Sequence, residues 1–340
     1  MSQLSWAQQL IDSFFAGRCL PSQAACDEIA LSTSGASTVS PVESPGSLSY
    51  TVVCSGLPGS QPDRIVSFRE PGSELNEGVV KLAKGIHGDM VPEATYHGTV
   101  KGADPPLSIC SMPRLLGSSY IEVISCEINM SSNEQAKHTM FIKHLARYFA
   151  RCWLSPQSVD GQAQAEQCGM VQRRVARLME ELPPSIFLYS VVSRLTERLP
   201  SLFGQNYRQA LTHNDFSVTN ILVDEESFEI TGIVDWSLAN VMPFGMDLDI
   251  LFLATGFLDR DGWHDYTCKK LLQDTFWEEF WLVSGIEGEE LRNEARALAE
   301  DAGHIGAILR LAFRRNSDGS PSEEILLSES RMKQLSAWFS

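Results

Sequence analysis

The sequence predicts an α+β protein in two parts: a small antiparallel sheet carrying one main helix, then a larger, mostly helical region. β-type runs cluster between residues 49 and 112, helical periodicity takes over from 133, and one β-rich island interrupts the helices at 209–239. A chain of 340 residues is long enough for two domains. The change of character places them at 1–112 and 118–340, with a connector at about 110–117.

Residues 5–15 (SWAQQLIDSFF) space their apolar side chains as a helix does, and 32–49, dominated by Ser, Thr, Gly and Pro, is expected to be flexible. SYTVVCSG at 49–56 and RIVSFRE at 64–70 are β-rich and flank the turn-forming LPGSQPD, which predicts a hairpin. Ser73 is placed to cap a helix whose Leu75, Val79, Leu82 and Ile86 recur at i, i+4, i+7 and i+11, with Gly85 and Gly88 where it should end. Further strands are expected around 91–100 and 106–112. In the second part, 133–153 presents Ile142, Leu145, Phe149 and Trp153 on one face behind a Ser132/Gln135 capping box. Amphipathic stretches follow at 170–182, 187–198, 264–283, 288–314 and 323–338. Within the island, NILVD and ITGIVDW read as short strands joined by the polar turn EESFE.

Composition narrows the function. With 43% hydrophobic and 21% charged residues the chain has an ordinary globular balance. Its net charge of -16, from 27 Lys+Arg against 43 Asp+Glu, repels polyanions and argues against nucleic acid as a partner. The same acidity serves solubility, or attracts a cationic substrate. Eight cysteines include no CxxC pair and no zinc spacing, so reduced thiols and a cytoplasmic setting are expected. The N-terminal segment lacks an export signal, and no apolar run approaches the roughly 20 residues that span a bilayer, so no membrane partner is expected.

The chemistry concentrates in the island, where HNDFSVTN supplies His213, Asp215 and Asn220 and GIVDW supplies Asp235. Phosphoryl transfer needs one carboxylate to orient or deprotonate the acceptor hydroxyl, and an amide with a second carboxylate to hold the magnesium that neutralises phosphate oxygens. Asp215 suits the first task; Asn220 and Asp235 suit the second. A loop from Asp215 to Asn220 brings both side chains toward one cavity, and the hairpin is expected to carry Asp235 back beside them. Magnesium prefers hard oxygen ligands, few of them from protein. His213 reads as a loop-fixing side chain, while the Asp and Asn residues also have a plainer reading as turn formers.

HNDFSVTNILVD followed by GIVDWSLANVMPFG closely resembles the catalytic and metal-binding segments of the aminoglycoside phosphotransferase and choline kinase superfamily, particularly its fungal members. The likeness extends more weakly over about 45–285, through GSLSYTV, IVSFRE, SMPRLLGSSY and ARYFARCW. It implies a two-lobed protein-kinase-like fold, with a nucleotide-binding lobe at 1–112 and a hinge at about 110–117. It also implies ATP and magnesium as cofactors and a hydroxylated small molecule as substrate. By the resemblance Asp215 is the catalytic base, Asn220 and Asp235 bind magnesium, and Cys110 to Pro113, including Met112, contact adenine. The fungal likeness points to secondary metabolism rather than to an antibiotic.

The first lobe departs from protein kinases. Arg69 in IVSFRE stands where they place a phosphate-holding lysine, and the two cations are not interchangeable. Glu74 or Glu77 is expected to pair with it. SPGSLSYT lacks the full glycine pattern but offers Ser47 and Ser49 hydroxyls to phosphate. Asp247 and Asp249, with Trp263, Tyr266, Trp277 and Trp281, offer a cage for an ammonium group, although the spacing of 277 and 281 also fits a helix core. Two alternatives to a kinase remain from sequence: a nucleotide- or metabolite-binding module, and a cleft reused for non-phosphorylating chemistry.

Overall fold

The structure, a computed structural model, describes residues 6–16, 21–46, 48–316 and 321–340. It divides into two compact units: Met1–Leu116 with Gly232–Leu238 and Arg315–Ser320, and Gly117–Thr231 with Ala239–Arg314 and Pro321–Ser340. The α+β class holds, because the first unit is an antiparallel sheet with helices and the second is mainly helical.

In the first unit, α1 (Trp6–Phe15) and α2 (Gln23–Ser34) precede β1 (Thr38–Pro41), β2 (Ser49–Ser55), β3 (Arg64–Arg69), α3 (Glu77–His87), β4 (Thr95–Thr99) and β5 (Ser108–Pro113). The strands form one sheet of order β1-β2-β3-β5-β4, every pairing antiparallel. Because side chains alternate across a pleat, the register sorts them into two faces. Tyr50, Val52, Val66, Phe68 and Ile109 share a core with Ile11 and Phe14 of α1 and Cys26 and Ala30 of α2. The other face carries Ser49, Thr51, Ser67, Arg69, Cys110 and Met112, since Ser49 opposes Arg69, Thr51 opposes Ser67, and Ser67 opposes Cys110.

Two expectations change here. Residues 32–49 are not simply a flexible stretch, because the end of α2 and all of β1 fall within them. Small buried side chains, Cys26 and Ala30, give α2 a weak apolar signal, and β1 is a mostly exposed edge strand defined by backbone pairing to β2. The cap of α3 is Asn76, whose side chain accepts from Val79 N at 3.1 Å. Ser73 instead donates to the Glu70 carbonyl at 2.8 Å and is buried.

In the second unit, β6 (Ser118–Ser119) and α4 (Tyr120–Val123) lead into α5 (Ser132–Leu154), α6 (Gly161–Glu181) and α7 (Phe187–Leu202). The island supplies β7 (Gln209–Thr212), β8 (Ile221–Val223), β9 (Ile230–Ile233) and β10 (Asn240–Pro243). Then come α8 (Asp249–Leu253), β11 (Gly256–Leu258), β12 (Trp263–Asp265), α9 (Lys269–Ser284), α10 (Glu289–Leu311), β13 (Phe313–Arg315), β14 (Pro321–Ile325) and α11 (Glu329–Phe339). The capping box of α5 is Ser131/Glu134, one residue earlier than the spacing of Ser132 and Gln135 predicted. Phe149 of α5 meets the rings of Phe216, Phe244 and Phe276, so an aromatic core ties α5 to α9 and to the island.

Two glycines are required by close approach. Gly117 has φ 111°, and a Cβ there would lie 2.6 Å from the Val223 carbonyl oxygen. Gly306 lets α10 press on the segment before α8, where a Cβ would lie 1.8 Å from the Met246 oxygen. Among the described residues all cysteines are free thiols; Cys19 lies outside them. Among the same residues no helix is long and apolar enough to cross a membrane.

Candidate active site

The 213–220 loop begins where β7 ends and is anchored from below. Antiparallel pairing of β7 with β10 sets Thr212 opposite Asn240. Asp247 lies just before α8 and accepts the His213 N–H on Oδ2 at 2.6 Å and the Asn214 N–H on Oδ1 at 3.1 Å. One carboxylate thus clamps two successive backbone donors while Asn214 takes a left-handed φ of 61°, a conformation Asn tolerates better than most residues. His213 is fully buried, its ring 5.7 Å from that of Phe216.

Asp215 and Asn220 come together within this loop. Asn220 Nδ2 donates to the Asp215 carbonyl at 2.8 Å and to Asp215 Oδ2 at 3.1 Å. Both donors of the amide are spent on Asp215, so its oxygen remains as the hard acceptor. Ser119 of β6 donates to the carbonyls of Val218 and Thr219 at 3.2 and 3.0 Å, fixing the far side of the loop.

The proposed ammonium cage is overturned by the partners its members already have. Both oxygens of Asp247 serve the loop backbone. Asp249 is wholly buried against Arg310, with an Nη2–Oδ1 hydrogen bond of 3.3 Å. The Nε–Oδ2 approach of 2.6 Å is a close ion contact rather than an aligned hydrogen bond. Burial pushes the Asp247 carboxyl up to about 7, opposed by Arg310 and by the two backbone donors and reinforced by Asp249. Trp277 is buried beneath the Arg296 guanidinium, 5.3 Å from its ring, and Arg292 stands 5.9 Å from Trp281. Tyr266 is buried and donates to the Ser125 carbonyl at 2.5 Å, and Trp263 donates to Asp265 at 2.8 Å.

In the first unit, the polar sheet face brings together four of the residues expected to bind nucleotide: Ser49, Arg69, Cys110 and Met112. Hydroxyls run along it, with Ser49 Oγ 3.3 Å from Thr51 Oγ1 and the latter 2.9 Å from Ser67 Oγ. Arg69 is buried and donates from Nη1 to the Ser73 carbonyl at 3.1 Å. Both Nη1 and Nη2 reach Asp235 Oδ1 at 3.1 Å, and Ser237 donates to that same oxygen at 2.9 Å. Burial lowers the guanidinium's pKa, but Asp235's charge more than restores it. Asp235, at φ 61°, therefore packs with the first unit.

This pairing corrects the expected one. Glu74 is exposed and accepts the Gly72 N–H at 2.7 Å, and Glu77 is exposed in the first turn of α3. Among the described residues neither makes a hydrogen bond or ion pair with Arg69. Ser47, expected to cradle phosphate, lies outside the described residues. The Arg69–Asp235 pair, 166 residues apart, had no local signal in the sequence.

Among the described residues no three His, Cys, Asp or Glu side chains cluster as a metal site. Magnesium takes few protein ligands and completes its shell with phosphate and water oxygens. The free amide oxygen of Asn220 and a carboxylate on Asp235 are donors of the required kind.

Residues 146–275 match the model of the phosphotransferase enzyme family, a span that contains the loop, Asn220 and Asp235. No curated protein matches the sequence. Among solved structures, the GDP complex of a mutant aminoglycoside 2'-phosphotransferase-IIIa superposes with a TM-score of 0.51 at 14% identity, covering 85% of this chain and 90% of that one. A protein of Ralstonia eutropha JMP134 described as an aminoglycoside phosphotransferase gives 0.52 at 14% identity, covering 85% and 90%. The chain thus shares the fold of these aminoglycoside phosphotransferase structures and is similar to the phosphotransferase enzyme family over residues 146–275.

Proposed function

We propose that the protein transfers the γ-phosphoryl group of ATP to a hydroxyl of a small molecule, with magnesium as the metal. The observation that carries this reading is the 213–220 loop, in which Asn220 orients Asp215 while Asp247 clamps the backbone beneath them. A carboxylate held at one oxygen by an amide keeps its other oxygen for a substrate hydroxyl, which it orients and whose proton it accepts as the O–P bond forms. Nucleoside diphosphate leaves with the electron pair of the broken bond. Arg69 suits the α- and β-phosphates, to which its planar fork can donate in pairs. Asn220 and Asp235 would hold magnesium, which when bound neutralises charge on the phosphate oxygens. The GDP bound by one structural relative supports a nucleotide as donor.

Thermal unfolding tests this without knowledge of the acceptor. Magnesium with ATP should raise Tm by several degrees at nucleotide near 100 times Kd, a stabilisation of about 2.7 kcal/mol. ATP alone should do less, and Asp235→Ala, read against its own ligand-free baseline, should lose the magnesium-dependent part. Asp215→Asn should keep the shift but lower the rate of ADP formation with a hydroxylated acceptor by about 100-fold or more. No shift with either ATP or GTP at millimolar concentration would refute the assignment.

A further inference from the structure

A cavity of about 230 Å³ opens among α8, α9, α10 and α11 of the second unit, and none of the residues assigned to phosphoryl transfer lines it. Its walls are aromatic: Phe252, Trp277, His304, Trp338 and Phe339 all contribute. Phe252 lies parallel to His304, 5.5 Å between ring centres at 4°, and nearly parallel to Trp338, 5.4 Å at 24°. These rings stack on one another, and the aromatic surface they leave at the cavity favours an aromatic guest, which gains ring contacts beyond simple burial. An apolar cavity of about 150 Å³ is enough to take up benzene in another protein, so this one has room for a fused bicyclic ring.

Its polar groups define the guest further. Lys269 is paired with Asp265 at 2.9 Å and Glu300 with Arg296 at 2.7 Å, so these two side-chain charges are matched within the protein. Burial lowers His304 to about 4, which leaves its imidazole neutral at physiological pH. Gln273 also lines the cavity, and its amide makes no hydrogen bond among the described residues. A guest with one hydrogen-bonding edge would find the Gln273 amide there.

We propose that this cavity is a binding site for a bicyclic aromatic molecule bearing one hydrogen-bonding group, which Gln273 recognises. The site is independent of the phosphotransferase reading. It borders α8, whose first residues follow the Asp247 that clamps the 213–220 loop.

Indole and its isostere indene, which lacks the N–H, are the probes, read by ligand-observed NMR on the full chain without nucleotide. Indole should bind saturably and about 3–10-fold more tightly than indene, the worth of one hydrogen bond. Gln273→Leu, at a partly exposed position, should abolish that preference while keeping indene binding. Gln273→Trp should fill the cavity and weaken both by about tenfold or more, with circular dichroism unchanged. Absence of saturable binding, or binding unaffected by Gln273→Trp, would overturn the proposal whatever the outcome of the nucleotide experiments.

Discussion

Replacing Asp235 with Ala leaves the Arg69 guanidinium, whose side chain is only 8% exposed, without its carboxylate. Replacing Arg69 with Met leaves the Asp235 carboxylate, 38% exposed, free to regain water. The two halves of one ion pair should therefore differ in cost. Stripping the partner from a buried charge costs about 3–5 kcal/mol. The converse change loses the Ser73 carbonyl's donor and a partly hydrated pair, together about 1–2 kcal/mol. Urea denaturation of both single variants and the double variant gives the numbers, through midpoints at unchanged slope. Asp235→Ala should be the least stable of the three, and adding Arg69→Met to it should restore stability. The cycle should return a coupling of about 1.5–3 kcal/mol, as expected for hydrogen bonds between charged groups. If Arg69→Met costs more than Asp235→Ala, or the changes simply add, the burial argument is wrong.

Further outcomes follow from the same geometry. Asp247→Asn keeps the size of the side chain but offers one acceptor oxygen to two backbone donors; it should cost about 1–3 kcal/mol by chemical denaturation and slow ADP formation with little change in nucleotide-induced Tm shift. Gly306→Ala forces a methyl group onto the Met246 oxygen and should destabilise by about 3 kcal/mol or more in the same measurement. Burial lowers His138 to about 4, so between pH 6.5 and 4 the unfolded chain binds the proton that the folded one refuses. Stability should thus fall on acidification through that window, by up to about 1.4 kcal/mol per pH unit from this residue, and His138→Gln should flatten the slope.

What could be read from the sequence was whatever is local. The hairpin of β2 and β3, the long α5 and the strands after Asn220 announce themselves through alternation, periodicity and turn residues. Asp215 and Asn220 lie within one loop, and their spacing was enough to suggest that they meet. The partner of Arg69 was not legible, because comparison with protein kinases pointed to the nearby glutamates while the fold delivered a carboxylate from a distant hairpin. The cage reading of Asp247 and Asp249, the weaker of the two open from sequence, fails for a related reason. An acidic residue beside aromatics looks the same in sequence whether it awaits a ligand or is spent on backbone donors and Arg310.

The first unit is not completed by the first third of the chain. Its buried Arg69 must wait for a carboxylate 166 residues further on. At ribosomal speeds of about 5–20 residues per second, that is an interval of roughly 8–30 seconds during which the nascent sheet holds an unmatched cation. A fragment ending near residue 116 should accordingly be a poor folding unit, and a ribosome-bound chain should gain protease resistance in this region only once the segment through Leu238 has left the exit tunnel.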